Sequence, residues 1–175
     1  MFKKVLLLFL LPLSFALNAQ NLYFMPKDQE IALKELIKVI NSTQSNLNIA
    51  IYSFTNREIA KAIRDVAKRG VKVRIIYDKS SNSDPNKSTI GYLAKLKNIQ
   101  TCLLEGKPSS NNKYKGLMHM KMAISDNKAL VIGSANWSKS AFETNYETLF
   151  ISKDKALIRK SQQIFEEMFK ECKKY

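Results

Sequence analysis

His119 is the one histidine in the chain, and Lys121 follows it two residues later in the run Met118 to Ser125 (MHMKMAIS). The run reads as a strand, so the imidazole and the ammonium project from one face. An imidazole near neutral pH can attack an electrophilic centre or move a proton, and a lysine beside it stabilises an anion. Asp126-Asn127 follows as a turn, then an apolar strand ending in Gly133-Ser134-Ala135-Asn136. If Asp126 and Asn127 form a two-residue turn, Ser125 pairs with Lys128 and His119 lies opposite Ser134. If the turn sits one residue later, His119 lies opposite Asn136. Either register sets a nucleophile beside an anion cradle built from Lys121, a serine hydroxyl and an asparagine amide. Asp126, seven residues on and at the turn, is too far along the hairpin for the chemistry and is assigned a structural role, bracing the turn.

Other chemistries lack their residues. The Gly-Ser segment is not a nucleotide loop, since Gly-x-x-x-x-Gly-Lys is absent, and no His/Cys/carboxylate cluster offers a metal site. No metal and no cofactor are expected.

The elements that must position this hairpin are legible in the hydrophobic pattern. Asn21 to Met25 is a short strand stopped by Pro26. A helix opens at Asp28 and runs to Asn41, with Leu33, Leu36, Ile37 and Ile40 at helical spacing. Asn46 to Phe54 reads as a buried strand, Thr55 or Asn56 as the cap of a helix over 57–69, and Val71 to Tyr77 as a strand. That β-α-β run predicts parallel pairing through a right-handed crossover. A polar loop with Pro85, a short helix over 89–97 and a strand over 99–104 follow. The long loop Glu105 to Lys115 leads into the hairpin. Tyr146 to Ser152 is a strand and 156–174 an amphipathic helix. The fold class is α/β, a mixed sheet with helices on both faces, in one domain over residues 20–175.

The chain has 175 residues, 45% hydrophobic and 25% charged, enough for one domain with a core. Its 29 Lys+Arg against 15 Asp+Glu give a net charge of +14, which points to a polyanionic partner, nucleic acid or an anionic membrane. Lys3 and Lys4, the apolar run Val5 to Leu17 and the small Ala19 match a secretory signal peptide over residues 1–19. The protein is therefore expected to be exported, periplasmic or membrane-associated, with cleavage or retention of the signal left open. Cys102 and Cys172 are the two cysteines, and an oxidising compartment allows them to pair; chance buried thiols are the alternative.

His119-Met120-Lys121, Asp126 and Gly133-Ser134-x-Asn136 together resemble the signature of the phospholipase D superfamily. The export signal, the single motif and the runs Ala50 to Thr55 (AIYSFT) and Lys68 to Val73 (KRGVKV) resemble its small bacterial endonuclease branch. The resemblance implies a phospholipase D-like domain forming a two-fold dimer, with a metal-independent phosphodiesterase site. It implies His119 as nucleophile through a phosphohistidine, Lys121, Ser134 and Asn136 on the phosphate, and Glu147 accepting a ring proton from the histidine. The superfamily uses paired motifs, so a chain with one histidine supplies the pair as a homodimer with a composite site.

DNA, with single strands preferred and RNA left open, is the expected substrate, with Lys113, Tyr114 and Lys115 as candidate groove residues among the basic loops. The alternatives are a phospholipase acting on anionic lipids and a non-catalytic DNA-binding or uptake protein.

Overall fold

Two strands, Asn46–Ile51 and Lys72–Asp78, lie parallel in the middle of the sheet. The helix between them, Arg57–Lys68, gathers Ile59, Ala60, Ile63, Val66 and Ala67 on its buried side, so it packs back over the sheet as it returns the chain. In the computed structural model, which describes residues 20–175, these strands belong to an eight-stranded sheet. The signal-peptide segment assigned to 1–19 lies outside the described residues. In chain order the elements are β1 (Gln20–Met25), α1 (Gln29–Asn41), β2 (Asn46–Ile51), α2 (Arg57–Lys68), β3 (Lys72–Asp78), α3 (Ile90–Leu93), β4 (Ile99–Leu104), β5 (Lys121–Ser125), β6 (Ala129–Gly133), α4 (Lys139–Glu143), β7 (Glu147–Ser152), α5 (Lys155–Glu171) and β8 (Lys173–Lys174). The strand order is β1-β7-β6-β5-β2-β3-β4-β8. The pairs β2–β3 and β3–β4 are parallel and the other neighbours antiparallel.

Each face of the sheet has its own core. Leu47, Ile49, Ile51, Val73, Ile75 and Tyr77 point toward Leu36 and Ile40 of α1 and Ile59 and Ile63 of α2. Ala50, Ile76, Met122, Ile124 and Leu130 point the other way, onto Ile158 and Phe165 of α5. Each fully buried Leu or Ile contributes about 1.5–3 kcal/mol. Arg74 fastens α5 to the second face. Its guanidinium lies 5.0 Å from the ring centres of both Phe165 and Phe169 and donates to Glu166 at 2.8 and 2.5 Å.

Four sequence expectations need correction. The helix expected over 156–174 stops at Glu171, because Cys172 is bonded to Cys102 on β4 and the next two residues pair with that strand. The helix expected over 89–97 is four residues long, Ile90–Leu93. The loop Glu105 to Lys115 is a small hairpin, with a bridge between Pro108 and Lys115 and Ser109 donating to the Tyr114 carbonyl at 2.8 Å.

The β5–β6 register falls between the two expected: Ser125 pairs with Ala129, and Asp126, Asn127 and Lys128 form the loop. Asp126 and Asn127 both adopt left-handed backbone, φ 49° and 53°, and Lys128 donates to the Ser125 carbonyl at 2.8 Å. The neighbouring strand fixes this geometry. The Asp126 amide donates to the Asn46 carbonyl, and its carboxylate accepts from the amides of Gln44, Ser45 and Asn46 at 2.7, 2.8 and 2.9 Å.

Candidate active site

Parallel strands β2 and β3 end where antiparallel β5 begins, so Tyr52, Asp78 and the segment before Lys121 collect on one edge of the sheet. The C-terminal edge of parallel strands is where ligands bind in open α/β sheets. Beside it, β6 ends at Gly133 and β7 begins at Glu147. A Cβ at position 133 would overlap the Thr148 carbonyl, so glycine is what lets β6 run this close to β7. The ladder between β5 and β6 stops at Met122–Ile132, and the amides of Ser134 and Ala135 turn instead onto the Thr148 carbonyl at 3.1 and 3.4 Å. This turn brings Ser134 to Glu147.

His119 is exposed and Lys121 is buried. The Lys121 ammonium lies 3.0 Å from Nδ1 and 3.1 Å from Nε2 of His119, and donates to the His119 carbonyl at 3.0 Å. One donor in the ring plane cannot reach both nitrogens, because Cε1 stands between them. The ammonium therefore sits off the plane, leaving the in-plane lone-pair directions of the ring unoccupied by it. Tyr52 completes the group, its ring centre 4.3 Å from that of His119 and 5.1 Å from the Lys121 ammonium. Burial pushes the Lys121 pKa below that of an ordinary lysine, and the Glu147 charge opposes that fall.

Glu147 does not accept from His119 in this chain. Its carboxylate accepts a hydrogen bond from the Ser134 hydroxyl instead, and the Thr148 amide donates to Ser134 Oγ at 3.0 Å. Within one chain, then, the expected Glu147–His119 hydrogen bond is not made, and Glu147 is bonded to Ser134. Ser134 therefore donates to a phosphate only by giving up Glu147. Asn136 is different. Its Oδ1 is buried with no hydrogen-bond partner among the described residues. An unpaired buried oxygen costs about 1–3 kcal/mol; the donor the side chain offers a phosphate is its NH2 group.

Asp126 lies at the far end of the hairpin with its carboxylate on three backbone amides. Burial alone would raise its pKa, but those three donors outweigh it and hold the group below the usual carboxylate range. Of the candidate groove residues, Tyr114 is 70% exposed at the arm of the 105–117 hairpin, a ring free to stack. Lys115 is paired with Glu105 at 2.8 Å, and Glu105 also meets Lys79 at 3.4 Å. Lys113 makes no ion pair among the described residues. Among those residues no group of three His, Cys, Asp or Glu is placed to hold a metal ion.

Three residues that hold the site had no role assigned from sequence. Asp78, buried at the end of β3, accepts the Met118 amide at 2.9 Å and so anchors the residue before His119. Its other oxygen accepts from the Ser80 hydroxyl and the Ser81 amide at 2.6 and 2.9 Å. Asn82, also buried, donates to the Tyr52 carbonyl at 2.6 Å, while the Tyr52 amide donates to Met120 at 2.8 Å. The signal that could have found Tyr52 and Asp78 was the predicted parallel pair, whose two strand ends share one edge.

A family model described as "Cardiolipin synthase, PLD-like domain" matches residues 36–169. Among solved structures, NucT from Helicobacter pylori superposes with a TM-score of 0.88 at 46% identity, covering 90% of this chain and 99% of that one. Nuc from Salmonella typhimurium, described as a phospholipase D family member, gives a TM-score of 0.74 at 23% identity, covering 90% and 98%, a likeness of fold. The mitochondrial cardiolipin hydrolase of Mus musculus is 30% identical over 142 residues, 81% of this chain and 60% of the relative. The chain thus spans between half and two thirds of the length of the cardiolipin hydrolases from mouse, dog and human that it matches.

Proposed function

The chain belongs to the phospholipase D-like domain family, and from that premise we propose that it is an exported phosphodiesterase that hydrolyses nucleic acid, single-stranded DNA foremost. The observation that carries this reading is the exposed His119 ring with the Lys121 ammonium within 3.1 Å of both nitrogens but off the ring plane, so that the lone pair stays free to attack. The reaction runs in two displacements. An unprotonated ring nitrogen of His119 attacks phosphorus, and the bond from phosphorus to the departing oxygen breaks. That oxygen takes a proton from an imidazolium. Water then attacks the phosphohistidine, gives its proton back to the same imidazole, and leaves a phosphate monoester end. Lys121 and the Asn136 amide neutralise charge on the non-bridging oxygens through both steps, with no metal required.

The second imidazole comes from a second copy. Each chain has one histidine, and a two-fold axis beside the site brings the partner's His119 to face the first. Tyr146, 94% exposed next to Glu147, and Leu117, 51% exposed next to Met118, give the rim an apolar surface suited to a second copy.

Three features support a nucleic acid as the substrate: the net charge of +14, the exposed Tyr114 ring and the resemblance to the single-motif nuclease branch. The disulfide supports an oxidising compartment and so export. A second reading, hydrolysis of anionic lipids such as cardiolipin, is favoured by the apolar rim and by the names of the cardiolipin hydrolases.

One panel separates them. Purified protein and His119→Ala are given single-stranded DNA, plasmid and cardiolipin vesicles, each with EDTA. Cleavage of DNA by the parent but not the variant supports the proposal. Lipid cleavage alone selects the second reading, and DNA binding without cleavage selects a non-catalytic role.

A further inference from the structure

A second cationic feature lies away from the histidine, in a cleft of about 500 Å³ between α2 and the segment 85–92. Arg57, Lys61 and Arg64 line one wall, at positions i, i+4 and i+7 of α2, so their side chains share one face. Lys87 and Tyr92 line the other. Along the helix axis the three cations rise by about 6 and then 4.5 Å, a ladder rather than a point charge.

Arg57 and Lys61 are exposed and make no ion pair among the described residues. Lys87 is 3.7 Å from Asp84, with its own side chain 87% exposed. Arg64 is held by Asp65 at 2.7 Å, and the 44%-exposed Tyr92 ring lines the cleft opposite the cation ladder. Thr55 also lines the cleft, and its amide donates to the Trp137 carbonyl at 2.9 Å. Trp137 directly follows Asn136. One lining residue of the cleft is thus tied directly to the segment that follows Asn136.

We propose that this cleft is a second nucleic-acid subsite, holding the backbone of the strand beyond the scissile phosphate on Arg57, Lys61 and Lys87, with one base stacked on Tyr92. The proposal rests on the nucleic-acid reading of the His119 site and extends it. A repeating polyanion with an aromatic base at each step fits both the ladder and the half-exposed ring. A flat anionic membrane surface reaches neither wall of a cleft as well.

Binding is measured in the full chain carrying His119→Ala, so that no strand is cut, with oligonucleotides of about 4 and about 16 nucleotides. The parent binds the longer strand more tightly. Arg57→Ala with Lys61→Ala is expected to remove most of that advantage and to lower the slope of log K against log salt by about 1.4, two contacts at about 0.7 each. Tyr92→Ala is expected to weaken the longer strand by about tenfold, and Tyr92→Phe to restore it. Matching thermal midpoints verify that each variant is folded.

An unchanged salt slope and an unchanged length advantage in the double variant would overturn the subsite while leaving hydrolysis at His119 intact. Loss of anionic-vesicle binding with oligonucleotide binding unaffected would also overturn it. Failure of the functional reading looks different: the wild-type protein would not cut DNA at all, whatever the double variant does to binding.

Discussion

The amide of Met118 donates to the carboxylate of Asp78 at 2.9 Å, across 40 positions of sequence. That bond fixes the chain one residue before His119 to the end of β3. Asp78 is a positioning residue, since it touches the backbone that carries the nucleophile and not the nucleophile itself. In Asp78→Asn one oxygen becomes an NH2 group facing N–H donors. The expected result is a fall in kcat of about 10- to 100-fold with KM nearly constant, because misplacing a reacting atom costs rate more than binding. Steady-state kinetics check it. A fall confined to KM would place Asp78 in substrate binding instead.

Two groups must stay charged on the alkaline side: the imidazolium that protonates the leaving oxygen, and Lys121. Its ammonium must be charged to stabilise the phosphoryl oxygens, and burial has moved its pKa down from that of an exposed lysine, with Glu147 opposing. The contribution of Lys121 is thus present below its lowered pKa and is lost as pH rises through it, before an ordinary lysine would titrate near 10.4. Glu147→Gln removes the supporting charge, so its alkaline limb is expected at still lower pH. Profiles of kcat/KM against pH for the two proteins test this. Superimposable alkaline limbs would contradict it.

Asp126 acts on stability. Its carboxylate, held below the usual range by the amides of Gln44, Ser45 and Asn46, contributes stability that is present above the unfolded pKa near 3.9 and lost as pH falls through the lower folded value. Asp126→Asn should be less stable by about 1–3 kcal/mol at neutral pH, with the difference shrinking in strong acid. Denaturant titrations at several pH values measure this. Turnover per folded molecule is expected to persist.

The Cys102–Cys172 bond closes a separation of 70 residues and holds the end of α5 to β4. In the chain-entropy account a loop of that size is worth about 4 kcal/mol. Cys102→Ser with Cys172→Ser should lower Tm by about 10 °C, and a reductant should do the same to the wild-type protein. An unchanged Tm would mean that α5 is held by Arg74 and the apolar face alone.

The hydrophobic pattern was enough to read the sheet, both helix layers and the β2-α2-β3 crossover, because period 2 and period 3.6 are local signals. What it could not carry was set by distant partners. Ser125 pairs with Ala129 because Asp126 is seated on residues 44–46, which no reading of the turn alone contains. The last helix stops at Glu171 because of a bond to Cys102. In the site, His119 and Lys121 were legible from their spacing. Tyr52, Asp78 and Asn82 were not, since each acts through a contact with residues that are remote in sequence. Glu147 was identified as a site residue, but its partner in this chain is Ser134, a consequence of how closely Gly133 lets β6 approach β7.

Attack by His119 leaves a covalent phosphohistidine, and trapping that adduct is the most direct measurement. Wild-type protein is mixed with single-stranded DNA in EDTA, quenched under alkaline denaturing conditions that preserve phosphohistidine, and analysed by peptide mass spectrometry. A phosphoryl-linked fragment is expected on the peptide carrying His119 and absent from His119→Ala, which should also have lost at least about 10⁴-fold in rate. Turnover at the wild-type rate by His119→Ala, or an adduct on any other residue, would contradict it.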